Sequence, residues 1–339
     1  MGLQFREYYL ESWKASAQKT LDNPRVREFL AKFPKELLEK LPLMQSIDSL
    51  HSSMRGYARD WAELASAHET SGLYKRIVDF ANLSGGLFVD IGCGAGNLLL
   101  ELAKRKDINL IGTDINGYLL QTAEAKLRDA QIATAIRDKS YIGFEPGRGL
   151  VLRPTPVMEE LDLRQTNLVC DDFRDMHNLK RVLYNHGRRA DGAFFTLTGG
   201  KSTYGPGEFI KMISEYLAKQ DPEQQSPEQH DFFDVIDPIM RNLPAIVRKG
   251  GSLFIGMRGV LNSAQSSDTK EIDTEFGRRY VGKLELVRFD SCPIIDERGY
   301  NGITISSAPV RKGEVTPDQE RDMRMENGYQ LGLLEVKVK

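Results

Sequence analysis

Residues 87–96 read Leu-Phe-Val-Asp-Ile-Gly-Cys-Gly-Ala-Gly, and residues 110–116 read Leu-Ile-Gly-Thr-Asp-Ile-Asn. Each begins as an apolar run of the length of a buried strand. The first run ends in an acid and opens into alternating glycines, which lets the backbone turn tightly and lie against a ligand. A helix expected over 97–106 then points its free N–H groups at the same place. Asp114 closes the second run, and a carboxylate there, beside a glycine loop, suits a ribose diol. The pair predicts a parallel sheet with an adenosine-containing ligand at its carboxyl edge.

The glycine spacing narrows the ligand. A dinucleotide fingerprint requires Gly-x-Gly-x-x-Gly. Here the pattern is Gly92-x-Gly94-x-Gly96, and Asn97 stands where the third dinucleotide glycine belongs. Asp90, just before the loop, would repel a pyrophosphate but suits the ammonium of a methionine moiety. Asp90-Ile-Gly92-Cys-Gly94-Ala-Gly96 with Gly112-Thr-Asp114-Ile115 resembles motifs I and II of the class I S-adenosylmethionine-dependent methyltransferases. The resemblance spans roughly residues 57–310 and is one of motifs.

The resemblance implies S-adenosylmethionine as cofactor and S-adenosylhomocysteine as product. It assigns Asp90, Gly92, Gly94 and Gly96 to the methionine part, Asp114 to the ribose and Ile115 to the adenine face. The third strand runs into Asp171-Asp172-Phe173, similar to the family stretch whose aspartate accepts from the adenine amino group. Asp172 aligns with that acceptor, but Asp171 replaces a common glycine, so which aspartate faces the base stays open. A helix-capping role is the alternative for either. Phe173 is expected near the ring, and Thr196, in the fourth strand, beside the cofactor. The tail after that strand, Thr198-Gly199-Gly200, is not the Asn/Asp-Pro-Pro-Tyr/Phe motif. Its absence counts against the exocyclic amines of bases and against glutamine as acceptors.

Catalytic and substrate candidates are fewer. His177 follows the third-strand motif and is the best placed of 5 histidines for a general base. Tyr204 is the other catalytic candidate, and Tyr204 and Glu208 are candidate substrate contacts. Tyr57 and Trp61, in Tyr-Ala-Arg-Asp-Trp, resemble the aromatic helix that precedes the core in small-molecule members. They would then lid the cofactor and touch substrate. Alternatively, as i,i+4 neighbours, they simply pack together. The other histidines show no metal-ligand spacing, so no metal is expected.

The fold class expected is α/β: a doubly wound, mostly parallel, seven-stranded Rossmann-like methyltransferase sheet with an N-terminal helical cap. Residues 1–80 read as the cap, with helices over 5–17, from Pro24 (N-capped by Asn23), over 34–40, 48–68 and 72–81. Residues 81–315 read as the core and 316–339 as a C-terminal extension. Strands are expected at 87–91, 109–114, 166–170, 192–197 and 252–257. The runs 283–289 and 302–306 read as an antiparallel closing pair. Residues 137–164 are an insertion between the second and third strands, either a roof over the site or a surface excursion.

A net charge of −2 in 339 residues gives no general pull toward nucleic acid or anionic membrane. Three scattered cysteines with no Cys-x-x-Cys argue for a reducing compartment. No signal-peptide core and no membrane-length apolar run are seen, so a cytoplasmic location without membrane attachment is expected. The expected function is methyl transfer to a small-molecule nucleophile by in-line displacement, with nucleic acid disfavoured as a partner and a homodimer allowed. The alternatives are an RNA or protein methyltransferase, which would show a basic surface built from 137–153 and 181–189, and a non-catalytic cofactor-binding partner subunit.

Overall fold

The computed structural model describes residues 6, 9–39, 43–70, 72–146, 149–196, 232–258, 274, 276–293, 300–305, 308–311 and 330–339. Five helices come first: α1 (Tyr9–Leu21), α2 (Pro24–Leu30), α3 (Lys35–Leu38), α4 (Leu43–Thr70) and α5 (Leu73–Ala81). Pro24 opens α2, and the Asn23 side chain accepts from Arg25 N at 3.0 Å, as the sequence predicts. Then follow β1 (Gly86–Ile91), α6 (Asn97–Ala103), β2 (Ile108–Asp114), α7 (Gly117–Asp129), β3 (Thr134–Arg137), β4 (Ser140–Glu145), β5 (Gly149–Pro154), β6 (Thr166–Cys170), α8 (His177–Asn185) and β7 (Ala190–Thr196). The later elements are α9 (Phe232–Ile246), β8 (Val247–Arg258), β9 (Leu284–Pro293), β10 (Tyr300–Ile305), β11 (Ala308–Arg311) and β12 (Gln330–Val338).

Among the described residues the central sheet has eight strands in the order β3-β6-β2-β1-β7-β8-β12-β9. Only β12 runs against the others. The order reverses at β1, so the switch point at which open α/β sheets take their ligands lies between β1 and β7, at the carboxyl end of β1. Two expectations are corrected. The sheet gains an eighth strand, because β3 adds in parallel to the β6 edge before the insertion begins. The closing antiparallel partner is not the 302–306 run. Tyr300–Ile305 instead pairs with Ala308–Arg311 in a separate hairpin. The place beside β8 is taken by β12, from the segment read as an extension, whose Leu333, Leu334, Val336 and Val338 are buried. Those residues reach a core position because β12 is flanked by β8 and β9 and hydrogen-bonds to both.

Strand alternation divides the core into two layers. Leu87, Val89 and Ile91 face α8 and α9, together with Ile111, Val169 and Phe195. Phe88, Leu110, Leu168, Cys170 and Phe194 face the N-terminal helices, α6 and α7. By the same period, Asp90, Asp114 and Thr196 project on the layer of the N-terminal helices.

The insertion is an antiparallel hairpin, β4–β5, and it seats α1. Trp13 is 1 % exposed and donates its indole N–H to Ser140 Oγ at 3.0 Å. Tyr9 donates its hydroxyl to the Asp138 carbonyl at 2.9 Å, and Thr20 donates to the Ile142 carbonyl at 2.7 Å. In return Ile142 N donates to Ser16 Oγ at 2.9 Å. The extra sequence between β2 and β6 is therefore what the first helix is fastened to. Removing the Trp13 ring should cost about 3–5 kcal/mol, the range for deleting a large buried aromatic. Denaturant unfolding of Trp13→Ala measures it, and a loss below ~1 kcal/mol would show that α1 is not part of the core.

Candidate cofactor site

The site is built where β1 and β2 end. Asp90, the fifth residue of β1, is 1 % exposed. Neither of its carboxylate oxygens has a hydrogen-bond partner among the described residues. A buried, unpaired carboxylate costs several kcal/mol unless it is neutral or meets a ligand. Burial accordingly pushes its carboxyl up to about 8, and the Asp114 charge nearby adds to the rise. Asp114 is also lifted by burial, to about 6, held back by the backbone N–H groups of Asn116, Gly94 and Ile115. Its Oδ2 accepts from Gly94 N at 3.0 Å and its Oδ1 from Asn116 N at 2.8 Å. Each oxygen keeps a lone pair, so a diol can still be received. The two carboxylates thus share one layer, one end of the sheet and one loop.

The glycines of that loop all have positive φ: 71° at Gly92, 54° at Gly94 and 78° at Gly96. They are not equivalent. A Cβ at position 96 would lie 2.7 Å from the Ala123 Cβ, so Gly96 is needed for packing on α7. A Cβ at position 94 would lie 2.6 Å from the Trp61 indole nitrogen. Trp61 therefore rests on the loop itself, and Tyr57 stacks on Trp61 with ring centroids 6.1 Å apart and planes 11° apart. Tyr57 remains 52 % exposed. Both readings of this aromatic pair meet here: the rings pack on each other, and the inner one covers the glycine loop.

Other sites named from the sequence fall differently. Asp171 accepts from Asp172 N at 3.1 Å and from Leu179 N at 2.7 Å, so its carboxylate serves the first turn of α8. Burial lifts its carboxyl to about 7. The Asp172 carboxylate takes a two-pronged ion pair from the Arg174 guanidinium. Both aspartates are engaged within the chain. Phe173 packs on Phe195, with centroids 5.6 Å apart, in the layer of α8 and α9. His177 is exposed at the start of α8, on that same layer, with Nε2 3.2 Å from Arg181. It is not brought together with Asp90 and Asp114. Ile115 is buried in the layer of the N-terminal helices, and Thr196 is 7 % exposed at the end of β7. Thr198, Gly199, Gly200, Tyr204 and Glu208 lie outside the described residues. Cys93, within the loop, has its thiol pushed well up by burial, which leaves it an inert packed side chain.

Sequence reasoning missed two asparagines. Asn116 accepts from Tyr118 N as the cap of α7 and donates its amide to the Met54 carbonyl at 3.0 Å. Asn97 donates to the Ala65 carbonyl at 3.2 Å and to Glu69 Oε2 at 2.6 Å. Each follows its motif directly. Their reach to α4 carries no sequence signal, because the partners are main-chain carbonyls 62 and 32 residues away.

Comparison with known proteins agrees with this geometry. Residues 88–147 match the family model described as a methyltransferase domain. The match runs from β1 into the β4–β5 hairpin and contains Asp90, the glycine loop and Asp114. Over those residues the chain is similar to that domain family, and the strand order is that of a doubly wound α/β sheet. No curated protein matches the chain. Among solved structures, a complex of the Haloferax volcanii Trm112 methyltransferase activator with a protein assigned as a methyltransferase is similar. That match has 15 % identity and a TM-score of 0.42, covering 84 % of this chain and 96 % of that one. TrmN from Thermus thermophilus is similar at 11 % identity and TM-score 0.38, covering 79 % of this chain but 48 % of TrmN, so the chain spans about half of TrmN's length. A TehB-like S-adenosylmethionine-dependent methyltransferase from Corynebacterium glutamicum gives 15 % identity and TM-score 0.36, covering 85 % and 98 %. These likenesses are too loose to carry a substrate or a partner.

The raised Asp90 pKa has a consequence for stability. The folded chain keeps a proton there that an unfolded chain loses near its ordinary value of 3.8. The folded state binds more protons between about 4 and about 8, so this group's contribution to stability falls as pH rises through that window. Asp90→Asn should therefore make the ligand-free protein more stable at pH 8, by roughly 1–3 kcal/mol, and flatten the loss between pH 4 and 8. Thermal or denaturant unfolding across that range checks it. A variant less stable than the parent at pH 8 would show that Asp90 has a partner inside the chain.

Proposed function

We propose that the protein transfers a methyl group from S-adenosylmethionine to a small-molecule nucleophile by in-line displacement. The observation that carries the cofactor is the buried Asp90 carboxylate, which has no partner among the described residues and ends the strand leading into the glycine loop. A cationic ligand group relieves such a carboxylate without protonating it. A methionine ammonium is such a group and a pyrophosphate is its opposite. Asp114 would hold the ribose diol through charge-assisted hydrogen bonds, with Ile115 against the base. When bound, S-adenosylmethionine supplies a methyl group on a sulfonium, already activated for displacement. The chain's own residues then have to position the acceptor and keep water away. Helix α4 serves the second task, with Trp61 on Gly94 and Asn97 and Asn116 fixing its backbone on either side.

The small-molecule acceptor is supported by that covering and by the state of the basic residues. An RNA-binding face would use the arginines of 137–153 and 181–189 on phosphates. Arg137 is instead paired with Glu159 at 2.6 Å, Arg153 with Glu145 at 2.6 Å and Arg188 with Asp191 at 3.1 Å. Arg181 lies against Met158 and His177. Among the described residues, no helix is long and apolar enough to cross a membrane.

Two measurements test the reading. S-adenosylhomocysteine should bind in calorimetry where NAD does not, and Asp114→Ala should weaken it by ~1.5–3 kcal/mol. NAD binding without S-adenosylhomocysteine binding would overturn the cofactor. Methyl-labelled cofactor, incubated with metabolite fractions and in parallel with RNA and protein fractions, should label a low-mass product. Label confined to RNA or protein would overturn the acceptor class.

A further inference from the structure

Helix α4 crosses the ligand-facing ends of β1 and β2, and the two asparagines that hold it belong to the cofactor motifs. Asn116 stands two residues past Asp114 and grips the Met54 carbonyl. Asn97 stands directly after Gly96 and uses both hydrogens of its amide on α4, one to the Ala65 carbonyl and one to Glu69. Trp61 lies between these two grips and rests on Gly94. Glu69 also pairs with Lys126 of α7 at 3.4 Å, so the end of α4 is tied to the helices that follow both motifs. Asn97 is 3 % exposed, and its Oδ1 has no partner among the described residues. A buried amide held by its donors, with its acceptor left over, can be retained for what those donors fasten.

We propose that Asn97 is a positioning residue for methyl transfer: by fastening α4 to the end of the glycine loop, it sets the Trp61 indole against Gly94 and so closes the wall over the cofactor. This rests on the reading of the loop as the S-adenosylmethionine cradle. The physical argument is one of register. A helix rises about 1.5 Å per residue, so the four residues from Trp61 to Ala65 span one turn. A fixed Ala65 carbonyl therefore leaves Trp61 little freedom to slide. Asn97 is the first residue of α6, so a movement of the loop backbone reaches α4 through one side chain. The coupling works in both directions: a ligand that orders the loop orders the lid, and a released lid loosens the loop.

Trp13 and Trp61 are the only tryptophans among the 339 residues, which provides the test. The full chain labelled with 5-fluorotryptophan gives two fluorine resonances, one from Trp13 in the α1–hairpin seat and one from Trp61 on the loop. In Asn97→Ala, the Trp61 resonance should shift in the ligand-free protein while the Trp13 resonance stays. Affinity for S-adenosylhomocysteine should fall about tenfold, the scale of losing a charge-assisted hydrogen bond. Glu69→Ala should move both readouts in the same direction, and Glu69→Gln, which keeps an acceptor, should leave both in place. An unmoved Trp61 resonance in Asn97→Ala, or a moved one with affinity within about twofold of wild type, would overturn the positioning role. If Asn97→Ala also displaces the Trp13 resonance, its fold is disturbed, and the partly exposed Glu69→Ala decides on the same two criteria. Failure of the wild-type chain to bind S-adenosylhomocysteine would overturn the cofactor reading alone, since the Trp61 resonance of the ligand-free variants still reports whether α4 is fastened.

Discussion

A carboxyl group near the end of a central parallel strand, buried and given no cation among the described residues, is the constraint around which this molecule is arranged. Asp90 cannot rotate into solvent, because β1 is hydrogen-bonded on both sides and covered on both faces. Among the described residues no arginine or lysine neutralises it, although the chain carries 46 of them and spends several on surface pairs. The fold therefore keeps a buried ionisable group, its pKa raised by that burial, in a central strand. Functional sites are where such groups are expected to be kept. Asp114, one strand over and also raised, makes the same region more negative.

The rest of the architecture follows from keeping that place dry and occupied by the right charge. The layer that receives Asp90 and Asp114 is the one covered by the N-terminal helices, and α4 is laid across the loop rather than beside it. The covering helices are in turn anchored away from the site. Helix α1 is seated on the inserted hairpin through Tyr9, Trp13, Ser16 and Thr20. Gln121 of α7 donates both to Tyr9 and to Asp138, at 3.1 Å each, joining that seat to the helix that follows Asp114. Cap, insertion and cofactor motif are thus one connected body within the described residues.

How much of this was legible in the sequence depends on the range of the interaction involved. The strand, the loop and Asp114 could be read because their signals are local: an apolar run, an acid, alternating glycines. Asn23-Pro24 likewise announced the start of α2. What the sequence does not carry is long-range. The sequence reading pairs 283–289 with 302–306, whereas the strand beside β9 is β12, far along the chain, and nothing local in Gln330–Val338 says that both its edges will be paired. The engagement of Asp172 could not be foreseen, since Arg174 is as ready to point outward as back. The motif puts Gly96 with the ligand, and the structure adds a packing neighbour, Ala123, a contact visible only once α7 is docked. Chain position singles out His177, and the structure puts it on the other layer of the sheet.

The central claim is that Asp90 waits, protonated, for a cation. It is tested most directly by counting the protons that accompany ligand binding. Calorimetric titration with S-adenosylhomocysteine at pH 7, in buffers of different ionisation enthalpy, gives that count. With its pKa raised to about 8, Asp90 holds its proton in the free protein and must lose it to the solvent when the ligand's ammonium arrives. The account predicts release of close to one proton per ligand in the wild-type chain and none in Asp90→Asn. Binding with no proton release in the wild type, or with uptake, would contradict it.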